Sequence, residues 1–516
     1  MSELKVSLKE RYKPRSWPLS RLDVLLATIV VLGTIIGLAS TRLPFLYVAI
    51  AFAGIALFFL IYRYLWLGLG LFLLLNLTIP QAGPTWNLGM QVMVMGETRG
   101  LHFNVHEIVI TMTLVAWILK CFLKEAEWKT SSPVIFAIIL YMLTSILAGF
   151  VGLINGAKPL VLAFRFVRTT FFVYIFFLVI NIVKTRYLFR NLVILMLVCA
   201  TLVALFGLVQ FAIGQSRTEW IAEHVLKKIG YPDDVNYVAG GGATQAYRIN
   251  STFLHPNILG GYLVFVLPFL VSLLSMAWRA GRKRAWWILL IALGINLGAL
   301  FFTGSRAAWV AAGCIAIIYS IFGLKDKRVW LAAGTVFLVL VLIFFILSPP
   351  EFVKKRFSSL SATEAAEGRI YMYQLAFDFF LSHPVFGLGM GMEGQRIVEN
   401  NLRATWAAVE NAFLTYLVSH GLVGLIAFLL VFIMYWALLL HVRNNSPGDP
   451  FLYFLSEAFI LGMVGYVIAN MFGAWLLFAI PMHTLFWFFV GMGGSLYNIY
   501  REGEPAPARR YSLHLT

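Results

Sequence analysis

The feature that most constrains this chain is the recurrence of apolar runs about 20 residues long. That is the length a helix needs to cross the ~30 Å hydrocarbon core of a bilayer. One run begins near residue 23, and others follow at 44–62, 64–80, 107–124, 133–153, 162–183, 189–214, 256–278, 285–303, 306–323, 330–348, 412–440, 451–473 and 476–498. With 60% hydrophobic and only 12% charged residues, the chain has little material for a separate soluble domain. The pattern predicts an all-α polytopic membrane protein of about 12–14 transmembrane helices, with a large extracytoplasmic loop between late helices.

The charges between the runs set the threading, because Lys and Arg collect in cytoplasmic connections. The basic stretches near 120–129, 184–190, 278–285, 324–328 and 441–445 fall on every second connection, and the tail from residue 499 joins them. The expected layout is a cytoplasmic basic N-terminus at 1–22, a helical membrane domain at 23–498 and a cytoplasmic tail at 499–516. Outer loops fall at about 81–106, 215–255 and 349–411. The first run lacks a small-residue cleavage site and reads as a retained helix with its amino end inside. The net charge of +17 is then a by-product of insertion, and no nucleic-acid partner is expected. Cys121, Cys199 and Cys314 lie in or beside apolar runs without metal-ligand spacing and read as packing residues.

Outer positions are where the charge bias predicts few cations, yet Arg248, Arg306, Arg369, Arg165 and Arg168 all fall there. A guanidinium presents a planar fork of donors that matches phosphate oxygens and stays charged. A lipid-diphosphate head group is its natural ligand. Arg306 and Arg369 each follow a small residue and are flanked by apolar sequence, which favours function. Arg165 and Arg168 read better as snorkelling side chains, although Arg168 remains a candidate for substrate contact.

Transfer to a hydroxyl also needs a group to take its proton. Glu410, before the run that starts at residue 412, suits that role and equally suits an ordinary first-turn Glu facing the helix dipole. His420, ten residues farther along the same run, is expected about 15 Å deeper, inside the bundle. His255 and His383 are alternatives that read more simply as loop histidines. Asn250, Asn257 and Asn411 suit sugar hydroxyls or helix caps. The glycines at 240–242 have no Lys-Ser/Thr after them and read as a flexible stretch, while Asp233 and Asp234 read as solvated acids; no metal site is expected.

Four stretches carry a resemblance: Arg248 to Leu259, Thr303 to Trp309, Gly368-Arg369 leading to His383 through Gly389, and Glu410 to Gly424. In their order and spacing they resemble the O-antigen ligase and polymerase superfamily of bacterial membrane glycosyltransferases, from about residue 160 onward. The resemblance implies a GT-C-like helical fold and inverting, metal-independent glycan transfer from an undecaprenyl-diphosphate-linked donor, with no cofactor. It also implies that Arg306 and Arg369 hold the diphosphate. The family has a His-Asn pair where this chain has Glu410-Asn411. Glu410 could serve as the base in its place; the change equally fits an altered acceptor, a different base such as His255, or a lost activity.

The expected activity is extracytoplasmic transfer or polymerisation of glycan in the bacterial inner membrane. Catalysis would rest on Glu410, Arg369 and Arg306, and substrate contacts on Arg248, Asn257, His255, Asn411 and Arg168. The acceptor would be a polysaccharide, a lipid or a protein, with membrane lipids around the bundle. Tyr371, Tyr373, Phe377 and Trp406 would line a groove for lipid or sugar, or anchor at the membrane boundary. The rivals are a transporter or flippase of lipid-linked sugars and a non-catalytic part of an assembly complex. A transporter would favour ionisable groups near the midplane, where Glu457, His420 and His483 are the candidates.

Overall fold

A computed structural model describes residues 45–78, 86–94, 97–128, 132–221, 223–224, 247–253, 255–322, 363–392, 409–473 and 480–503. The expected runs at the start of the chain and at 330–348 lie outside the described residues, as do Trp406, Asp233 and Asp234. The chain divides into a first unit ending at Arg63 and a second from Tyr64 onward. In the first, helix α1 spans Phe45–Arg63.

The second unit begins with α2 (Leu65–Thr78), an antiparallel hairpin of β1 (Trp86–Val94) and β2 (Glu97–Phe103), and α3 (Val105–Phe122). It continues through α4 (Val134–Ile154), α5 (Pro159–Thr169), a single 3-10 turn, α6 (Tyr174–Ile182), α7 (Arg186–Ile213) and the short α8 (Gln215–Ile221). Then come α9 (Pro256–Arg279), α10 (Lys283–Phe302), α11 (Arg306–Phe322), α12 (Thr363–Ser382), α13 (Ala412–Asn445), α14 (Pro450–Asn470) and α15 (Ile480–Arg501). Among the described residues eight helical stretches, one of them running from α5 through α6, are long and apolar enough to cross a membrane. The protein is an all-α multi-pass membrane protein; the small hairpin, in the expected outer loop at 81–106, is the one strand pair among the described residues.

The core is organised around α9, which packs against α7, α10, α11 and α14. The rings of Phe265 in α9 and Phe489 in α15 stack with centroids 3.8 Å apart. α14 approaches closely because a Cβ on Gly465 would come within 2.4 Å of Val264 and Ile315. Small residues at such contacts replace a hydrophobic driving force that lipid cannot supply. Polar groups inside are tied across helices: Asn76 donates to Thr484 at 2.9 Å, Asn296 to Thr201 at 3.1 Å, and the Tyr466 hydroxyl to the Met482 carbonyl at 2.9 Å. Each such bond contributes about 0.6–2 kcal/mol.

The bundle has two ends of different character. At the lower end Arg186 meets Asp449 at 2.6 Å and Arg443 meets buried Glu457 at 3.1 Å. Glu457 also accepts from Tyr319, so this ionisable group of the membrane interior is a tied structural element. The upper end carries the N-termini of α9 and α11.

α13 departs from the expected straight span. Its 34 residues would reach about 51 Å, well beyond one bilayer core. Gly421, at φ 65° and ψ −168°, breaks it. A straight helix would hold Phe413 about 22 Å from Phe428 and about 28 Å from Phe432. Their ring centroids lie only 5.9 and 6.2 Å apart, and Tyr416 stacks on Phe428 at 4.7 Å. The chain therefore turns back at Gly421: 412–420 climbs toward the upper end and 422–445 descends, long enough to span by itself. His420 is accordingly at the tip of a helical hairpin, not about 15 Å deeper along one span.

Candidate functional site

The first group of polar side chains gathers where α9 and α11 begin. Residues 247–253 are pinned against the end of α7 by Gln210, whose amide oxygen accepts from the Ser251 N–H at 2.9 Å while its nitrogen donates to Asn250 at 3.1 Å. Ser251 holds a left-handed backbone at φ 53°, and its hydroxyl donates to the Val203 carbonyl at 2.7 Å. The Tyr247 hydroxyl donates to the Gln210 carbonyl at 3.2 Å. Burial pushes the Tyr247 phenol up from its ordinary value, ahead of the charge of Glu219, so it stays a donor.

This anchoring aims Arg248. Its Nε donates to the Thr303 carbonyl at 2.7 Å and an Nη donates to the Asn257 amide oxygen at 2.5 Å. Asn257 in turn gives its backbone N–H to His255 Nδ1 at 3.1 Å, which makes His255 the N-cap of α9. The cap role proposed for Asn257 thus belongs to His255, and Asn257 is left to orient the guanidinium. Thr303 and Ser305 shape the facing turn: the Thr303 hydroxyl accepts from the Ser305 N–H at 3.2 Å, and Ser305 accepts from the Ala308 N–H at 3.4 Å. Arg306 follows as the first residue of α11, partly exposed, with no hydrogen bond or ion pair among the described residues. Arg248, His255, Asn257 and Arg306 are thus brought to one corner.

The second group surrounds Glu410. Asn411 caps the rising arm of α13, its amide oxygen accepting from Phe413 at 2.9 Å and Leu414 at 3.0 Å. Asn411 is therefore first a cap. Glu410 precedes it, half-buried, and its carbonyl accepts from the Tyr373 hydroxyl at 3.2 Å. Tyr373 sits on α12, one turn or about 6 Å beyond Arg369. α12 starts at Thr363, so Arg369 lies in its second turn instead of opening it. The side chains of Arg369 and Arg168 lie outside the described residues; Arg168 belongs to α5. Of the aromatic candidates, Tyr371 and Phe377 are exposed.

The loop after α12 locks this arm. Where Gly421 interrupts the helix, Leu388 and Gly389 donate to the carbonyls of Val418 and Ser419 at 2.8 and 3.1 Å. Leu422 and Val423 donate to those of Pro384 and Val385 at 2.9 and 3.2 Å. Met390 continues onto the Ala148 carbonyl of α4, and Asn155 donates to that of Leu388. Four peptide groups of the break are thus paired with the backbone of 384–389, the kind of partner irregular backbone in a membrane protein requires. A small apolar core of Ala376, Leu388, Val409 and Val418 fills the space beneath. His383, hydrogen-bonded to Ser382, stays exposed on this loop. His420 is buried, stacked on Tyr416 at 3.9 Å and bonded to Ser419.

Three features escaped sequence reasoning. Gln210 sits in an apolar helix and carries no motif. The use of residues 384–389 as a clasp for a broken helix has only its glycines as a signal. Glu107, almost wholly buried at the start of α3, accepts from the Asn104 N–H at 2.7 Å in a capping box that the Asn104-x-x-Glu107 spacing does announce.

No curated protein matches the chain. Residues 291–429 match the family model described as O-Antigen ligase. That stretch includes Arg306, Arg369, Glu410 and the break at Gly421. Over those residues the chain is therefore similar to the O-antigen ligase family.

Proposed function

We propose that this protein is a glycosyltransferase of cell-surface polysaccharide synthesis, moving or polymerising glycan from an undecaprenyl-diphosphate-linked donor onto a hydroxyl acceptor. The observation that carries this reading is the corner of Arg248, Asn257 and Arg306, within a chain whose O-antigen ligase match spans both Arg306 and Glu410. Arg248 is held by neutral acceptors that fix its fork, and Arg306 presents an unengaged guanidinium beside it. Together with Arg369 they would stabilise the diphosphate as the bond from the anomeric carbon to its oxygen breaks. A leaving group so stabilised needs no acid. The acceptor oxygen would attack the opposite face of the anomeric carbon, with inversion and without a metal, as its proton passes to the Glu410 carboxylate. The corner lies at the end opposite the basic turns, which the charge rule puts outside the inner membrane.

The test is transfer in vitro from a lipid-linked donor. Arg306→Ala and Arg369→Ala are each expected to slow turnover about a hundredfold or more. The site assignment is falsified if both variants turn over like the parent.

A transporter reading draws support from the broken helix, since discontinuous helices mark many transporter sites. Here the break is closed by the backbone of 384–389. Product linkage separates the two readings, because a transporter returns its substrate unaltered.

A further inference from the structure

The opposite end of α9, about 36 Å from Arg248, carries a feature that the transfer reaction does not use. Between α9 and α10 the chain reads Trp278, Arg279, Ala280, Gly281, Arg282, Lys283, Arg284, Ala285, Trp286, Trp287. The turn closes on itself: Gly281 donates to the Trp278 carbonyl at 3.0 Å and Arg282 to the Ala277 carbonyl at 2.9 Å. Its backbone needs are met locally, and its side chains splay outward. Trp278 is 41% and Trp287 58% exposed, with Trp286 between them at ring distances of 5.6 and 4.8 Å. Arg279 lies over the Phe454 ring at 5.1 Å.

Arg282 and Lys283 are exposed and form no ion pair among the described residues. Two acids at this end are engaged elsewhere, Asp449 with Arg186 and Glu457 with Arg443. Below the tryptophans, Ile288 and Ile291 are each 61% exposed along α10. Unengaged cations, amphipathic indoles and an aliphatic strip thus follow one another in order of depth. That is the order of phosphate, glycerol and acyl chain in a phospholipid.

We propose that this turn binds an anionic glycerophospholipid of the adjoining leaflet, its phosphate on Arg282 and Lys283, its glycerol region against Trp278 and Trp287, and an acyl chain along Ile288 and Ile291. Indoles favour the headgroup level, and each Lys or Arg near an anionic surface strengthens attraction about fivefold. The site is independent of the transfer chemistry and holds if that reading fails.

The experiment compares retention of phosphatidylglycerol and phosphatidylcholine by the full chain purified in detergent, using native mass spectrometry. The parent is expected to retain phosphatidylglycerol preferentially. The double variant Arg282→Gln/Lys283→Gln should lose about 25-fold of that preference. Because the turn is exposed and its backbone bonds remain, the variant should unfold at the parent temperature. Arg282→Lys should keep the preference, and Arg501→Gln, exposed at the same end beside Glu502, should leave it intact. Equal retention of the two lipids by the parent would overturn the proposal. So would an unchanged preference in the double variant, or an equal loss in Arg501→Gln, which would mark a diffuse cation belt.

Discussion

The Arg248 corner and the arm that follows Glu410 are built by opposite means. Around Arg248 the geometry is set mainly by side chains: Gln210 holds Asn250, Asn257 holds Arg248, His255 caps α9 and Thr303 shapes the facing turn. Around Glu410 it is set by backbone. A helix is broken at Gly421, turned back on itself and sealed by the peptide groups of 384–389. The first construction tolerates the loss of any one bond at the cost of a local loosening. The second has no spare room, because two backbones lie where a Cβ would have to go.

The largest effect is therefore expected from alanine at the clasp. A Cβ on Gly421 would lie 2.3 Å from the Val385 oxygen, at a φ of +65°. One on Gly389 would lie 2.1 Å from the Gly152 nitrogen, at +93°. Backbone strain and forced separation together should cost about 3–5 kcal/mol for Gly421→Ala or Gly389→Ala. Thermal unfolding in detergent measures this. Gly214→Ala is the control: its backbone is likewise extended at positive φ (+84°, ψ 169°), but a Cβ there would meet no neighbouring element within 4 Å, so only the conformational cost of about 1–3 kcal/mol remains. If Gly421→Ala proves no worse than Gly214→Ala, the clasp is looser than its distances say.

The next effect belongs to the side-chain corner. Gln210→Ala removes the acceptor of the Ser251 N–H and the donor to Asn250. Leaving such partners unmet costs about 1–3 kcal/mol. Hydrogen exchange should quicken at 247–251, while 384–389 keeps its protection. Equal loosening of both segments would mean that the two constructions are coupled.

This contrast also explains what could be read from the sequence. Long apolar runs and charged connections identify the helices because membrane depth and insertion constrain them directly. The corner was legible because its members fall within two short segments, 248–257 and 303–306, whose turn chemistry is local. Gln210 was not, since its partners lie 40 and 41 residues away. The reversal at Gly421 was hidden for a related reason. The residues on both sides are apolar and helix-forming, so hydropathy joins them into one span, and only the contact with 384–389 selects the turn.

The smallest effect should come from Asn411, at the foot of the rising arm. Its amide oxygen caps the rising arm by accepting from Phe413 and Leu414, so Asn411→Ala frees two N–H groups and costs about 1 kcal/mol. Asn411→Asp keeps the acceptor and should recover that stability, because the cap needs only an oxygen and a carboxylate also suits the positive end of the arm. Transfer turnover should divide the pair differently. An added negative charge beside Glu410 opposes an incoming diphosphate. Asn411→Asp should therefore be stable but slow, and Asn411→Ala less stable but faster than Asn411→Asp. If the two variants rank alike in unfolding and in turnover, Asn411 acts on the site through its cap alone. The opposite ranking would show that charge at this position reaches the transfer step.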